Sequence, residues 1–245
     1  MIADIATVIW KEWKEIFLQR GNMRSGLLSL VVIVGIVGVF FPLQEGPRWL
    51  TNPTGLVTWS WLPLFLVMGV VADSFAGERE RHTLETLLAS RLPDRAILFG
   101  KISAAVLYGW GIVIVSLLLG AVTVNVSSPQ AGLQFYTPQL VTLALLLSLL
   151  ASTLMAAVGV LVSLHSSTTR QAYQKMSLAF MVLWFIPILA FQFMPAALRD
   201  SLLQRLQVLN GQQVVAWALV ILVLANAVLI GIGMAQFKRA RLILD

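Results

Sequence analysis

The sequence predicts an all-α integral membrane protein: six transmembrane helices, an amphipathic helix ahead of them, and a charged cytoplasmic segment between the second and third. Three observations carry this. Only 11% of the 245 residues are charged and 58% are hydrophobic, whereas a soluble domain carries about a quarter charged residues to wet its surface. Mean hydropathy is +0.86. No Asp, Glu, Lys or Arg occurs from Ile102 to Leu164, a run long enough for two spans at about 20 apolar residues each. The charges that remain are clustered between apolar runs.

Six apolar segments follow, read as helices because an open sheet leaves its backbone unsatisfied in lipid. They are Leu27 to Leu43, Thr54 to Ala72, Ile102 to Val124, Pro138 to Leu164, Met176 to Met194 and Val214 to Phe237. Turn chemistry separates them: Gln44-Glu45-Gly46-Pro47 after the first, Asn125 to Pro129 after the third, and Asn210-Gly211 before the sixth. Pro63 and Pro187 are expected to kink the second and fifth. The glycine pairs Gly35/Gly38 and Gly231/Gly233 miss the four-residue spacing of close helix packing.

Orientation follows from the basic residues. Fourteen of the seventeen Lys and Arg fall on one side of this six-span plan, and only Arg48, Arg199 and Arg205 on the other. The positive-inside rule makes the first side cytoplasmic, with both termini on it. The net charge of +6 does not indicate nucleic acid, because the cations sit at segment ends and not along one face.

The first residues are amphipathic. Ile2, Ile5, Ala6, Ile9, Trp13, Ile16 and Phe17 share one helical face, and Asp4, Lys11, Lys14 and Glu15 the other, with Glu12 near the boundary. This predicts a helix lying in the membrane interface, with Trp10, Trp13, Ile16 and Phe17 as its interfacial residues and the two tryptophans suited to headgroup depth. Asp4, Lys11, Glu12, Lys14 and Glu15 interrupt any signal-peptide core.

Enzymatic chemistry lacks its parts. The chain has no cysteine and two histidines, which excludes disulfides, thiol nucleophiles and cysteine-ligated zinc. No paired acids lie within the spans, so metal hydrolysis and acid–base catalysis have no residues. Asp73 and His165 are expected at the interface. Asn226, mid-way along the sixth span, is expected to make a helix-to-helix hydrogen bond worth about 0.6 kcal/mol. Gly100-Lys101 is not a phosphate loop, since Arg95 stands where the upstream glycine belongs and Ile102 replaces Ser or Thr. No cofactor is expected in this chain, and any energy source is another protein.

The segment from Asp73 to Lys101 is the informative one. Thr83 is placed to cap a short helix with Glu85 in its first turn. Leu84, Leu87 and Leu88 form a compact apolar stripe, and Pro93-Asp94 restarts a helix into the third span. Two readings of the stripe stand: it packs on the protein's own helix ends, or it enters a groove on a partner.

Here the sequence resembles the permease subunits of the type-2 ABC transporter family. The residues are Gly77-Glu78-Arg79-Glu80, Thr83-Leu84-Glu85, Leu87-Leu88, Ser90 and Gly100-Lys101, within a similar layout of an N-terminal amphipathic helix and six spans. It departs at Ser90-Arg91, where the family has Ser-Pro and this chain has Pro93, and at His82, where glycine is common. The resemblance implies an exporter in which two permeases form the pathway. Each would dock a separate ATP-binding-cassette subunit, which binds ATP and Mg, through Glu78, Arg79, Glu80, Thr83, Leu84, Glu85, Leu87 and Leu88. It also implies a short external re-entrant element, for which Pro195 to Leu206 is available. The domain plan is then one transmembrane domain over 1–245: interfacial helix 1–24, spans one and two 25–74, coupling loop 75–101, spans three to five 102–194, external loop 195–212, and span six with a cytoplasmic tail 213–245. The partners expected are the ATPase, a second permease and the plasma-membrane bilayer. Two rival readings are a haem- or cytochrome-maturation export permease and a non-transporting membrane scaffold.

Overall fold

The computed structural model describes residues 1–16, 23–52, 54–201 and 211–237, and all regular structure among them is helical. In chain order the helices are α1 (Ile2–Lys14), α2 (Met23–Gly35), α3 (Phe41–Glu45), α4 (Thr54–Glu80), α5 (Leu84–Ala89), α6 (Asp94–Ser127), α7 (Pro138–Leu164), α8 (Thr169–Gln192) and α9 (Gly211–Gln236). Phe17, Arg20, Arg205 and the basic tail from Lys238 lie outside the described residues.

Among those residues, four helical stretches are long and apolar enough to cross a membrane: Leu30–Leu50, Asp94–Ser127, Pro138–Leu164 and Gln213–Gln236. The first is composite. A wide-turned stretch, Ile36–Phe40, joins α2 to α3, and a tight 3-10 turn, Gly46–Leu50, ends it. Pro42 has no N–H to offer the Gly38 carbonyl four residues back, and the Thr123 hydroxyl of α6 donates to that carbonyl at 2.9 Å. The fourth predicted segment coincides with α7. The second is extended: α4 continues through Pro63 to Glu80, so Gly77 to Glu80 end a helix and do not open a loop. The third begins earlier, at Asp94, with Pro93 as its cap, as the Pro-Asp pair predicts.

The core is the seam between α4 and α7, closed by small residues. A side chain at Gly159 of α7 would meet Val71 Cγ1 at 2.5 Å. One turn on, the fully buried Ser163 hydroxyl accepts from the backbone N–H of Phe75 (3.1 Å) and Ala76 (2.9 Å) and donates to the Ala72 carbonyl (3.2 Å). Such contacts matter in a bilayer, where helix association rests on close packing and interhelical hydrogen bonds. Around the seam Val67, Val71, Phe75, Ile97, Leu98, Val160 and Met176 are buried together. Asn226 of α9 donates to the Leu150 carbonyl of α7 at 3.1 Å, the expected interhelical bond. Near the far end of α6, Trp49 lies between Phe41 (centroids 6.0 Å) and Trp59 (5.9 Å). After α8, residues 196–201 are helical and exposed in large part.

Candidate functional site

The polar residues gather where α4, α6, α7 and α8 end or begin and α1 lies across them. The sequence reads Gly77-Glu78-Arg79-Glu80-Arg81 at the last turn of α4. Consecutive helical side chains radiate about 100° apart, so these residues face different neighbours. Glu78 points inward and Arg79 reaches the C-terminus of α7, donating to the carbonyls of Ser166 (2.7 Å) and Leu164 (3.1 Å). The Leu164 carbonyl is one that a helix end leaves open, and Ser166 lies just beyond it. Glu80 accepts from the Thr169 N–H at the start of α8 at 3.1 Å, where the helix dipole favours a carboxylate. Arg81 turns back to pair with Asp73 at 3.1 Å. That pair crosses directly over Gly77, where a Cβ would stand 2.0 Å from Asp73 Oδ1; the glycine is there to let it pass.

The inward group is a buried charge cluster. Lys101 has no side-chain exposure, Glu78 has 2% and Glu12 10%. The Lys101 ammonium donates to Glu12 Oε1 (2.7 Å), the Ser74 carbonyl (2.7 Å) and Glu78 Oε1 (3.0 Å), which uses all three of its donors. It also sits 4.9 Å from the centre of the Phe75 ring. Lys11 pairs with the same Glu78 Oε1, with Glu12 and with Glu15. Burial works against its charge, but the carboxylates of Glu12, Glu78 and Glu15 outweigh that and hold its pKa above the ordinary lysine value. Arg81 is likewise raised: burial opposes its charge, and Asp73, Glu15 and Glu78 more than compensate. The carboxylates of Glu12, Glu15 and Glu78 lie within 4.8 Å of one another, and the lysines supply their counter-charge.

This cluster seats α1. Val8 lies against Gly100, where a Cβ would be 2.5 Å from Val8 Cβ, and the Trp13 indole donates to the Ala104 carbonyl at 3.3 Å. Gly100 supplies the close approach and Lys101 the charge. Val8 and Glu12 are the buried positions of α1, while Ile2, Ala6 and Trp10 are exposed and Ile16 is half-buried against the core. The protein-facing strip of α1 is thus offset from the apolar face Ile2–Ala6–Ile9 read from the sequence.

Helix α5 follows a turn in which His82 adopts φ +56°. Thr83 is its N-cap residue but bonds backward, its N–H and hydroxyl both directed to the Glu78 carbonyl at 2.9 and 3.3 Å. Leu84 and Leu88 are buried in the α4–α7 core, with half-buried Leu87 against it. Of the two readings of the stripe, the structure realises packing on the protein's own helices. Glu85, Thr86 and Ala89 form the exposed face. Sequence reasoning placed Glu78, Arg79 and Glu80 at a partner surface; here they join helices of this chain. It missed Glu12, Lys101 and Lys11 as a unit. The signal was the Val8–Glu12 spacing of four, which puts the acid on the packed face.

The family model described as ABC-2 family transporter protein matches residues 63–216, from the middle of α4 into α9. The chain belongs to the ABC-2 transporter family. No match is found among curated proteins. As an ABC-2 family member with apolar spanning helices, this is a multi-pass membrane permease of an ABC transporter. The match includes Glu78 and Lys101 but begins after α1, so Glu12 and Lys11 lie outside it.

Proposed function

We propose that this permease works as an exporter subunit in the plasma membrane, with six spans and both termini cytoplasmic. Two permeases would form the pathway, and a separate ATP-binding-cassette subunit, carrying ATP and Mg, would dock on the end that bears α5. The observation that carries the reading is the form of α5. It is a short helix anchored from behind by Leu84 and Leu88 and bonded to Glu78 through Thr83, while Glu85, Thr86 and Ala89 face outward. An anchored helix with an open polar face transmits a push without deforming.

Glu78, Arg79, Glu80, Thr83, Leu84, Leu87 and Leu88 then serve docking by holding α5 rigid, and Glu85 meets the ATPase. On this reading α4 and α8 would serve as the second and fifth spans. Spans this poor in charge would suit hydrophobic or amphiphilic cargo. The test uses exposed positions, which leave the fold alone. With the ATPase co-expressed, Glu85→Lys combined with Thr86→Arg weakens its capture by the permease about tenfold or more, since reversing the charge of the docking face removes its complementarity to the partner. Unchanged capture and unchanged ATP hydrolysis in the complex would sink the docking reading.

A further inference from the structure

At the end away from α5, a cleft lies between α6 and α7 beneath the loop that joins them. Asn125 closes that loop. Its side-chain nitrogen donates to the Gln134 carbonyl at 2.7 Å, and its side-chain oxygen accepts from the Gln134 N–H at 2.7 Å. The two bonds hold Leu133 and Phe135, on either side of Gln134, as a roof over a space of about 530 Å³. Below the roof the walls are Ile114, Leu118 and Val122 of α6 and Val141 and Leu145 of α7. Tyr136 lines the cleft too. Its hydroxyl is buried over Gly120 beside the Trp49 indole nitrogen, so the ring is what faces the cleft. Among the described residues no charged side chain lines it.

Position, width and roof point to the occupant. The cleft follows α6 from Ile114 to Val126, about 18 Å at the helical rise, and one leaflet's hydrocarbon is about 15 Å deep. Its volume over that length gives a mean cross-section of about 30 Å². A second helix, about 10 Å across, needs more than twice that section, whereas a single hydrocarbon chain with carbons in contact at about 4 Å fits. Leu133 is 80% exposed and Phe135 68%. Apolar side chains turned outward from a loop at the end of two spans belong to a segment that rests on lipid and not in water.

We propose that this cleft is a resident lipid site, which holds one acyl chain of a phospholipid from the leaflet opposite α5. The tail runs between α6 and α7 from beneath the roof, and the headgroup lies beyond Leu133 and Phe135. The inference uses nothing at α5 and stands apart from the docking reading.

The test places the full-length permease in nanodiscs that contain a phospholipid with a photoreactive diazirine midway along one acyl chain. After irradiation, labelled peptides are identified by mass spectrometry. Label on residues 114–126 and 133–145 exceeds that on α9 by about tenfold, one decade of occupancy, although Ile221 and Leu224 of α9 are as exposed as Leu118 and Val122. Leu118→Trp combined with Val122→Trp fills the cleft from its open side and removes the excess, and Leu224→Trp leaves it. Asn125→Ala frees the roof without filling the cleft and also lowers the label, so the test holds if the tryptophan pair does not fold. Label spread evenly over α6, α7 and α9 overturns the proposal, since the lipid at the cleft is then exchanging solvent. So does an excess that both the tryptophan pair and Asn125→Ala leave at native size. An unlabelled cleft overturns it as well; if Leu133→Cys then joins two copies by a disulfide, the cleft is an interface between chains.

Discussion

The two ends of this helical bundle are held by opposite kinds of force. At the α5 end, charges do it: Glu78, Lys101, Glu12, Arg79 and Glu80 join α1, α4, α6, α7 and α8 through directional bonds. At the other end Trp49, Trp59 and Phe41 fill the space between the composite first span, α4 and α6. Aromatic packing tolerates small slips, because dispersion and burial depend weakly on orientation. A charge network does not, since each ion needs its own counter-ion. On the docking reading proposed above, the end that transmits a displacement is the end whose geometry is fixed ion by ion.

The strongest way to break this contrast is Lys101→Met. It leaves the buried Glu78 and Glu12 with Lys11 alone as counter-charge, and loss of one partner from a buried pair costs about 3–5 kcal/mol. Thermal unfolding in detergent reads the loss. Adding Glu12→Gln and Glu78→Gln to it recovers most of the stability, because the desolvated charges go together; a triple variant no more stable than Lys101→Met would refute the electrostatic account. At the aromatic end, Trp49→Ala costs about 3 kcal/mol for the lost packing, yet leaves ATPase capture unchanged, as read by co-purification. Reduced capture would mean that the ends are not independent. The smallest effect is a gain. His82 holds φ +56°, a region that favours glycine, so His82→Gly stabilises the chain by up to about 1 kcal/mol, measured in the same melts.

Much of the fold was legible in the sequence because the bilayer imposes long apolar runs. The charge-free stretch from Ile102 to Leu164 placed α6 and α7, and Pro93-Asp94 placed the start of α6. The short helix at Leu84–Ala89 followed from leucine spacing. The direction in which Glu78 and Arg79 point did not, because α4 was read as ending near Ala72, and two further helical turns rotate those side chains inward. Nor could spacing pair Glu12 with Lys101. Periodicity says that a residue faces a neighbour, and it never says which one when the two are far apart in the chain.

The α4–α7 seam has a consequence for how the protein is made. Ser163 reads three backbone groups of α4, and Gly159 fits against Val71 one turn away. A chain threaded into the membrane from its N-terminus cannot complete that lock until α7 has emerged. Until then α4 waits in the bilayer with its mating groove open, beside the first span and α6. The arrival of α7 is the commitment step of assembly, after which α8 and α9 add to a framework whose register is already set.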